Sequence, residues 1–266
     1  MDLERMSDQP IAVFDSGLGG LTVLQTLRHQ WPKENYIYLG DTARLPYGTK
    51  SADTIRNYLY QNVNYLKQYN PKAIIVACNS ASSVLRSGEF SDVPVYGVIE
   101  PTIELAASLT NNQRIGVIGT RATITQKTYA DKLIEKNPQL QVFQQSCPLF
   151  VPLVEEGLFE DPITNLIVYR YVHQLVQANI DTLILGCTHY PLLYKAIQKV
   201  TGSDIALVDP AVAIAQYLQS VLPLNSNILE KGSLHLLCTD TAHHFKMQAD
   251  SILGIGEIGG IEKIDL

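Results

Sequence analysis

Two cysteines stand where chemistry is easiest to place. Cys78 lies in IIVACNSAS (74–82) and Cys187 in LILGCTHYP (183–191), 109 positions apart (187 − 78). Each ends a short apolar run and precedes polar residues, Asn79 and Ser80 in one case, Thr188 and His189 in the other. At an ordinary pKa of ~8.5 only about 3% of a thiol is ionised at pH 7, whereas a pKa of ~7 ionises about half. A helical pattern follows each cysteine, so the positive end of a helix is expected to favour the thiolate. A thiolate and a thiol on opposite faces of one carbon atom can invert it, one removing a proton and the other returning one. A nucleophilic cysteine needs one sulfur and an imidazole, so a thiol hydrolase would leave the second thiol idle. Two blander readings stay open. A cysteine at a strand end is often a small buried hydrophobe, and Cys187 with His189 offers two donors to zinc, although Cys78 brings no further ligand nearby. Cys147 and Cys238 lack comparable neighbours and are assigned to packing.

The elements that must hold these thiols are legible as short β-branched runs alternating with helical patterns. IAVFDSGLGG (11–20) reads as a strand closing on Asp15, Ser16 and a glycine-rich turn. Leu21, Leu24, Leu27 and Trp31 then fall at helical spacing. YIYLGD (36–41) is the next strand, followed by a helix through 51–69, the strand AIIVAC (73–78) and a helix from about Ser80. This rhythm predicts parallel sheets covered by helices on both faces. The pattern then repeats. RIGVIGT (114–120) echoes IAVFDSG, LILGC echoes IIVAC, and ALVDP (206–210) echoes GVIEP (97–101), at offsets of about 104 to 109. The expected fold is α/β, with two similar parallel-sheet domains related by a pseudo-twofold axis and the active site in the cleft between them. Residues 1–98 plus 211–266 form the first domain, with Asp15 and Cys78. Residues 99–210 form the second, with Glu155, Cys187 and His189. Ligands collect at the carboxyl ends of parallel strands, so Cys78 is expected to face Cys187 there.

DSGLGG has the look of a dinucleotide-binding turn, but the spacing fails. Gly17 and Gly19 are followed by Thr22 where a third glycine belongs, and Asp15 would put a carboxylate beside a pyrophosphate. A formal net charge of −6 over 266 residues, with no basic stripe, argues against nucleic acid. No apolar run approaches the ~20 residues of a membrane span, and MDLERMSDQP carries no apolar signal region. The four cysteines form no close-set pairs and are read as reduced thiols. A cytoplasmic location is expected.

Taken in chain order, DSGLGG (15–20), LPYG (45–48), ACNSAS (77–82), GTRAT (119–123), CPLFVPLVEEG (147–157) and LGCTHYP (185–191) closely resemble the cofactor-independent aspartate/glutamate racemase superfamily, and within it the glutamate racemases. ACN-x-A together with GCTHYP makes the resemblance specific. It implies that Cys78 and Cys187 are the paired proton donor and acceptor, with Asp15 an auxiliary group beside Cys78 and His189 beside Cys187. Glu155 is the further acid supporting the second thiol, with Glu156 as the alternative. Substrate binding is implied for Asp15 and Ser16, for Pro46, Tyr47 and Gly48, for Asn79 and Ser80, and for Thr120, Thr188 and His189. Ser80 stands where the family usually has threonine, keeping the hydroxyl.

Few Arg or Lys occur in these motifs, so substrate carboxylates would rest on backbone N–H, hydroxyl and amide groups. No cofactor and no metal are implied, and the carbanion would be stabilised by oriented dipoles in a cleft closed to water. The implied reaction interconverts L- and D-glutamate to supply D-glutamate for peptidoglycan. The implied partner is that small molecule alone, with neither nucleic acid nor membrane and a homodimer among the possible assemblies. Aspartate racemase, another two-cysteine racemase and a non-catalytic two-lobed metabolite-binding module are the alternatives.

Overall fold

The computed structural model describes residues 9–224, 232–240, 243–254 and 260–266. Four apolar runs of the first half, β1 (Ile11–Asp15), β2 (Tyr36–Gly40), β3 (Ala73–Val76) and β4 (Val95–Gly97), pair in parallel in the order β2-β1-β3-β4. Four runs of the second half, β5 (Arg114–Gly119), β6 (Gln141–Ser146), β7 (Thr182–Gly186) and β8 (Ala206–Val208), pair as β6-β5-β7-β8. The two orders match strand for strand, so the repeat visible in the sequence extends to topology. Strands β9 (Leu234–Cys238) and β10 (Ile261–Lys263) then add in parallel to the open edge of β2.

Why these runs are strands follows from their two-sided burial. Along the first sheet Ile11, Val13, Tyr36, Tyr38 and Ile75 face one apolar cluster, while Ala12, Phe14, Ile37, Leu39 and Ile74 face another. Alternation of this kind is the two-residue period of a strand with helices on both sides. The first face is covered by α1 (Leu21–Gln30), with Leu21, Leu24 and Leu27 buried, and the second by α2 (Ala52–Lys67), through Ile55, Leu59, Val63 and Leu66. The one-turn α3 (Asn79–Ser82) follows β3.

The chain passes between the sheets through α4 (Ile99–Leu109), and it is followed by α5 (Arg121–Gln126) and α6 (Thr128–Lys136). Helices α7 (Phe150–Glu155), α8 (Pro162–Gln177) and α9 (Tyr194–Thr201) cover one face of the second sheet. The chain returns through α10 (Pro210–Val221), which packs on both α1 and α4, and α11 (His243–Leu253) packs on α1. Helices α4 and α10 follow equivalent strands, β4 and β8, so the two crossings between lobes lie against each other.

Start signals are where side chains supply the missing acceptors. Asp161 and Asp209 each accept a backbone N–H two residues on, at 2.8 Å, with proline at the first helical position. No described helix is long and apolar enough to cross a membrane.

At the edge of the first sheet away from the thiols, Glu34 and Lys72 lie just before β2 and β3. Their charged groups are 2.6 Å apart with both side chains fully buried. Removing one partner of such a pair strands the other charge in a low-dielectric interior, at about 3–5 kcal/mol. Lys72→Met is therefore expected to lower the urea-unfolding free energy by about that amount, and Glu34→Gln added to Lys72→Met to restore most of it. A loss below ~1 kcal/mol for the single variant would mean that the charges are solvated.

Candidate active site

The turn after β1 brings the two lobes together. Asp15 ends β1 fully buried, and its carboxylate accepts from the Gly17 N–H at 3.0 Å and from the Thr188 hydroxyl of the other lobe at 3.3 Å. The Tyr38 hydroxyl holds the turn from below, donating to the Gly17 carbonyl at 2.6 Å. Thr22 donates to the carbonyls of Gly19 and Thr188, at 2.8 and 3.2 Å. The glycines of DSGLGG are here for close approach. A Cβ at Gly19 would fall 2.3 Å from Thr188 Oγ1 and 2.4 Å from His189 Nδ1, and one at Gly20 would fall 2.4 Å from Asp15 Cβ.

Across this contact the two thiols share one cavity. Cys78 and Cys187, buried at 5% and 6% exposure, line it together with Ser16, Leu45, Pro46, Tyr47, Gly48, Asn79, Ser80, Thr120, Val151, Thr188 and His189. Ser16 Oγ lies 3.7 Å from Cys78 Sγ, and His189 Nδ1 lies 3.9 Å from Cys187 Sγ. Asp15 takes its hydrogen bonds from the turn and from the second lobe, through the Gly17 and Gly20 N–H groups and the Thr188 hydroxyl, and its carboxylate is felt by Cys78. Of the two adjacent acids, Glu155 is the one that reaches His189, with Oε1 3.4 Å from Nε2, while Glu156 is exposed. The cavity volume is about 20 Å³, room for one water and far below the ~300 Å³ of an ordinary ligand pocket. A space of that size does not hold an amino acid.

The opposite wall is built of hydroxyls and a pinned loop. Ser80 Oγ, Thr120 Oγ1 and Thr123 Oγ1 form a triangle with sides of 3.0 to 3.4 Å that joins the lobes. Gly48 lies so close to Thr120 that a Cβ there would come within 2.6 Å of Thr120 Cβ. The Tyr47 hydroxyl is committed to the buried carboxylate of Asp41 and to Asn62, so the Pro46–Gly48 stretch offers the cavity mainly backbone. Asp41 also accepts from Arg44 Nε at 2.7 Å and from Thr239 at 3.0 Å, which ties the loop to the end of β9. Leu45, Val151, Thr123 and Asp41 were not singled out from the sequence. Leu45 and Val151 lie inside the LPYG and CPLFVPLVEEG segments, and Thr123 inside GTRAT, so motif membership was their only signal.

Burial, more than helix dipoles, sets the ionisation of Cys78. Its pKa is pushed up, so the neutral thiol is favoured, first by desolvation and then by the Asp15 carboxylate, with the Ala81 N–H and Ser16 opposing. The expected helix effect is small because α3 has only four residues. After Cys187 the chain likewise makes a short 3-10 turn, Tyr190–Leu193, before α9. Burial also raises Asp15 above the usual carboxylate range. For His189 burial works against the charged form, but Cys187, Glu155 and Asp15 together outweigh it and push the imidazole up to about 10. Among the described residues no group of three or more His, Cys, Asp or Glu could hold a metal ion.

Comparison with known proteins bears on what this arrangement is. The family model for Asp/Glu/hydantoin racemases matches residues 20–218, a span that includes both thiols and the rest of the cavity lining apart from Ser16. The chain belongs to that family. It is 46% identical over 246 residues to a glutamate racemase of Persephonella marina, covering 92% of this chain and 93% of that one. It is 44% identical over 246 residues to a glutamate racemase of Chlorobaculum tepidum, covering 90% of each. The crystal structure of glutamate racemase from Francisella tularensis in complex with D-glutamate superposes with a TM-score of 0.89 at 36% identity, over 97% of this chain and 98% of that one. The two-lobed α/β architecture is therefore that of this racemase family, and the chain is an isomerase by descent.

The ionisation of His189 makes a measurable claim about stability. Its ordinary value near 6.5 becomes about 10 in the folded chain. Between those pH values the folded chain keeps a proton that the unfolded chain has released. The stabilisation from a charged His189 is therefore complete below about pH 6.5, declines as pH rises and is gone above about pH 10. Urea titrations from pH 6 to 10 should give a stability difference between wild type and His189→Gln that shrinks steadily with pH. A difference that stays constant would mean that His189 is neutral in the folded chain.

Proposed function

We propose that this chain racemises glutamate by a two-base mechanism, with Cys78 and Cys187 acting on opposite faces of Cα. The observation that carries the reading is that the equivalent thiols of two repeated lobes line one buried cavity. The identity of the relatives as glutamate racemases supports the choice of amino acid.

In this reading one sulfur, as thiolate, takes the α-proton: the C–H bond breaks, an S–H bond forms, and the electron pair passes into the α-carboxylate. The opposite thiol then gives its proton to the other face and is left as thiolate. The two sulfurs have exchanged roles, and the reverse reaction uses the same groups. His189, with Nδ1 3.9 Å from Cys187 Sγ, relays a proton to or from that sulfur, and Cys187 itself, then Glu155, favour the charged imidazole. Burial opposes ionisation of Cys78, and the α-ammonium of the substrate brings the positive charge that offsets it. Ser80, Thr120, Thr188, Asn79 and the Pro46–Gly48 backbone hold the two carboxylates. Closure removes water, which strengthens each of these dipoles and protects the carbanion. The D-glutamate formed would serve peptidoglycan synthesis in the cytoplasm.

The α-proton signal of L-glutamate, followed by NMR in D2O with reduced, dialysed protein, should disappear while optical rotation falls to zero. Exchange of aspartate under the same conditions should be far slower, and faster aspartate exchange would transfer the proposal to that amino acid. Cys78→Ser and Cys187→Ser should each lower racemisation by roughly a thousandfold or more. Either variant retaining turnover within tenfold of wild type would remove the two-base mechanism. Complementation of a bacterial strain that requires D-glutamate tests the cellular role.

A further inference from the structure

Asn79 presents an unusual buried amide. It is 2% exposed, it lines the cavity next to Cys78, and its Nδ2 has no hydrogen-bond partner among the described residues. A buried amide nitrogen left without an acceptor is costly, and such groups occur where a ligand completes them. Its other end is satisfied from across the lobes. Tyr129 of α6, fully buried in the second lobe, has its hydroxyl 2.6 Å from Asn79 Oδ1.

That distance assigns the amide. An O–H···O bond has its usual length near 2.7–2.8 Å, whereas an amide nitrogen donating to the phenol would sit nearer 2.9–3.0 Å. Burial also keeps the phenol protonated, since it pushes the pKa of Tyr129 far above its ordinary range. The phenol therefore donates and Oδ1 accepts, which leaves both Nδ2 hydrogens without a protein acceptor on a residue that lines the cavity. The ring itself is held against the second lobe, because a Cβ at Gly186 would stand 3.3 Å from Tyr129 Cε2. Gly186 is the residue before Cys187, so one side chain touches the backbone beside one thiol and the amide beside the other.

We infer that Tyr129 is a positioning residue for substrate: its hydroxyl fixes the Asn79 amide with the donors toward the cavity, where they bind a substrate carboxylate. This rests on the amino-acid racemase reading above. Because Tyr129 and Asn79 belong to different lobes, the amide is set only when the lobes are shut. Without the hydroxyl, the amide is free to turn Oδ1 toward the carboxylate, which repels it.

The test is Tyr129→Phe, which keeps the ring on Gly186 and deletes only the hydroxyl. KM for D-glutamate should rise about tenfold, the scale of one hydrogen bond to a charged group, with kcat within about threefold of wild type. The same substitution made on Asn79→Ser should change KM less than twofold, because there is no amide left to orient. Substrate binding by calorimetry gives the same comparison for any variant too slow to assay. An unchanged KM or dissociation constant in Tyr129→Phe would overturn the inference, as would an equal rise in both backgrounds. A fall in kcat alone, in proportion to folded protein, would assign the hydroxyl a purely structural role and overturn it too. Failure of the wild type to racemise glutamate or aspartate would instead refute the reading on which it rests.

Discussion

Everything at the site depends on two backbones coming closer than side chains allow. The turn after β1 lies against Thr188 and His189 so tightly that a single methyl group at Gly19 would overlap both. Gly48 makes the same kind of contact with Thr120 on the other side of the cavity. Between these two points of approach the strand ends of both sheets are pressed together, and the thiols that end them are left facing a space the size of one water. Remove the close approach and the result is two sheets with a buried cysteine each, and no shared site.

The same closeness decides the electrostatics. Groups that would titrate normally on a surface are pulled out of water here, and burial raises both Cys78 and Asp15 toward their neutral forms. For His189 burial also disfavours the charged form, but Cys187, Glu155 and Asp15 together outweigh it and push the imidazole up. Polar contacts between the lobes, such as Thr188 to Asp15, Ser80 to Thr120 and Tyr129 to Asn79, satisfy most of what closure buries. All three bonds join one lobe to the other, so the contacts that hold the lobes together are also the contacts that build the site.

Duplication supplied the frame, and divergence supplied the chemistry. Strand order is identical in the two lobes, and the two crossing helices, α4 and α10, pack on each other as equivalents. Yet the thiols do not have equivalent neighbours. Cys78 has a serine hydroxyl at 3.7 Å, and Cys187 has an imidazole at 3.9 Å backed by Glu155. A symmetrical backbone thus presents two sulfurs with unlike proton partners to the two faces of one carbon.

Much of this was readable before folding was considered. Apolar runs of four to six residues, alternating with helical spacing, specify parallel sheets because both faces of each strand must be buried. The echo of IIVAC in LILGC located both thiols, and the motifs around them named nearly all of the cavity wall. What the chain alone did not contain was distance between residues far apart in it. Tyr129 reads as an ordinary core aromatic at a helical position, and its tie to Asn79 spans 50 residues. Glu155 and Glu156 are indistinguishable until the end of α7 turns one toward His189 and leaves the other in water. The helix after Cys78 looked long enough to acidify it, but it stops after one turn, and desolvation prevails. Local pattern determined which residues could do the chemistry, because periodicity and turn residues act over a few positions. Tertiary packing alone decided their ionisation and their partners, because both depend on what the second lobe excludes and what it brings near.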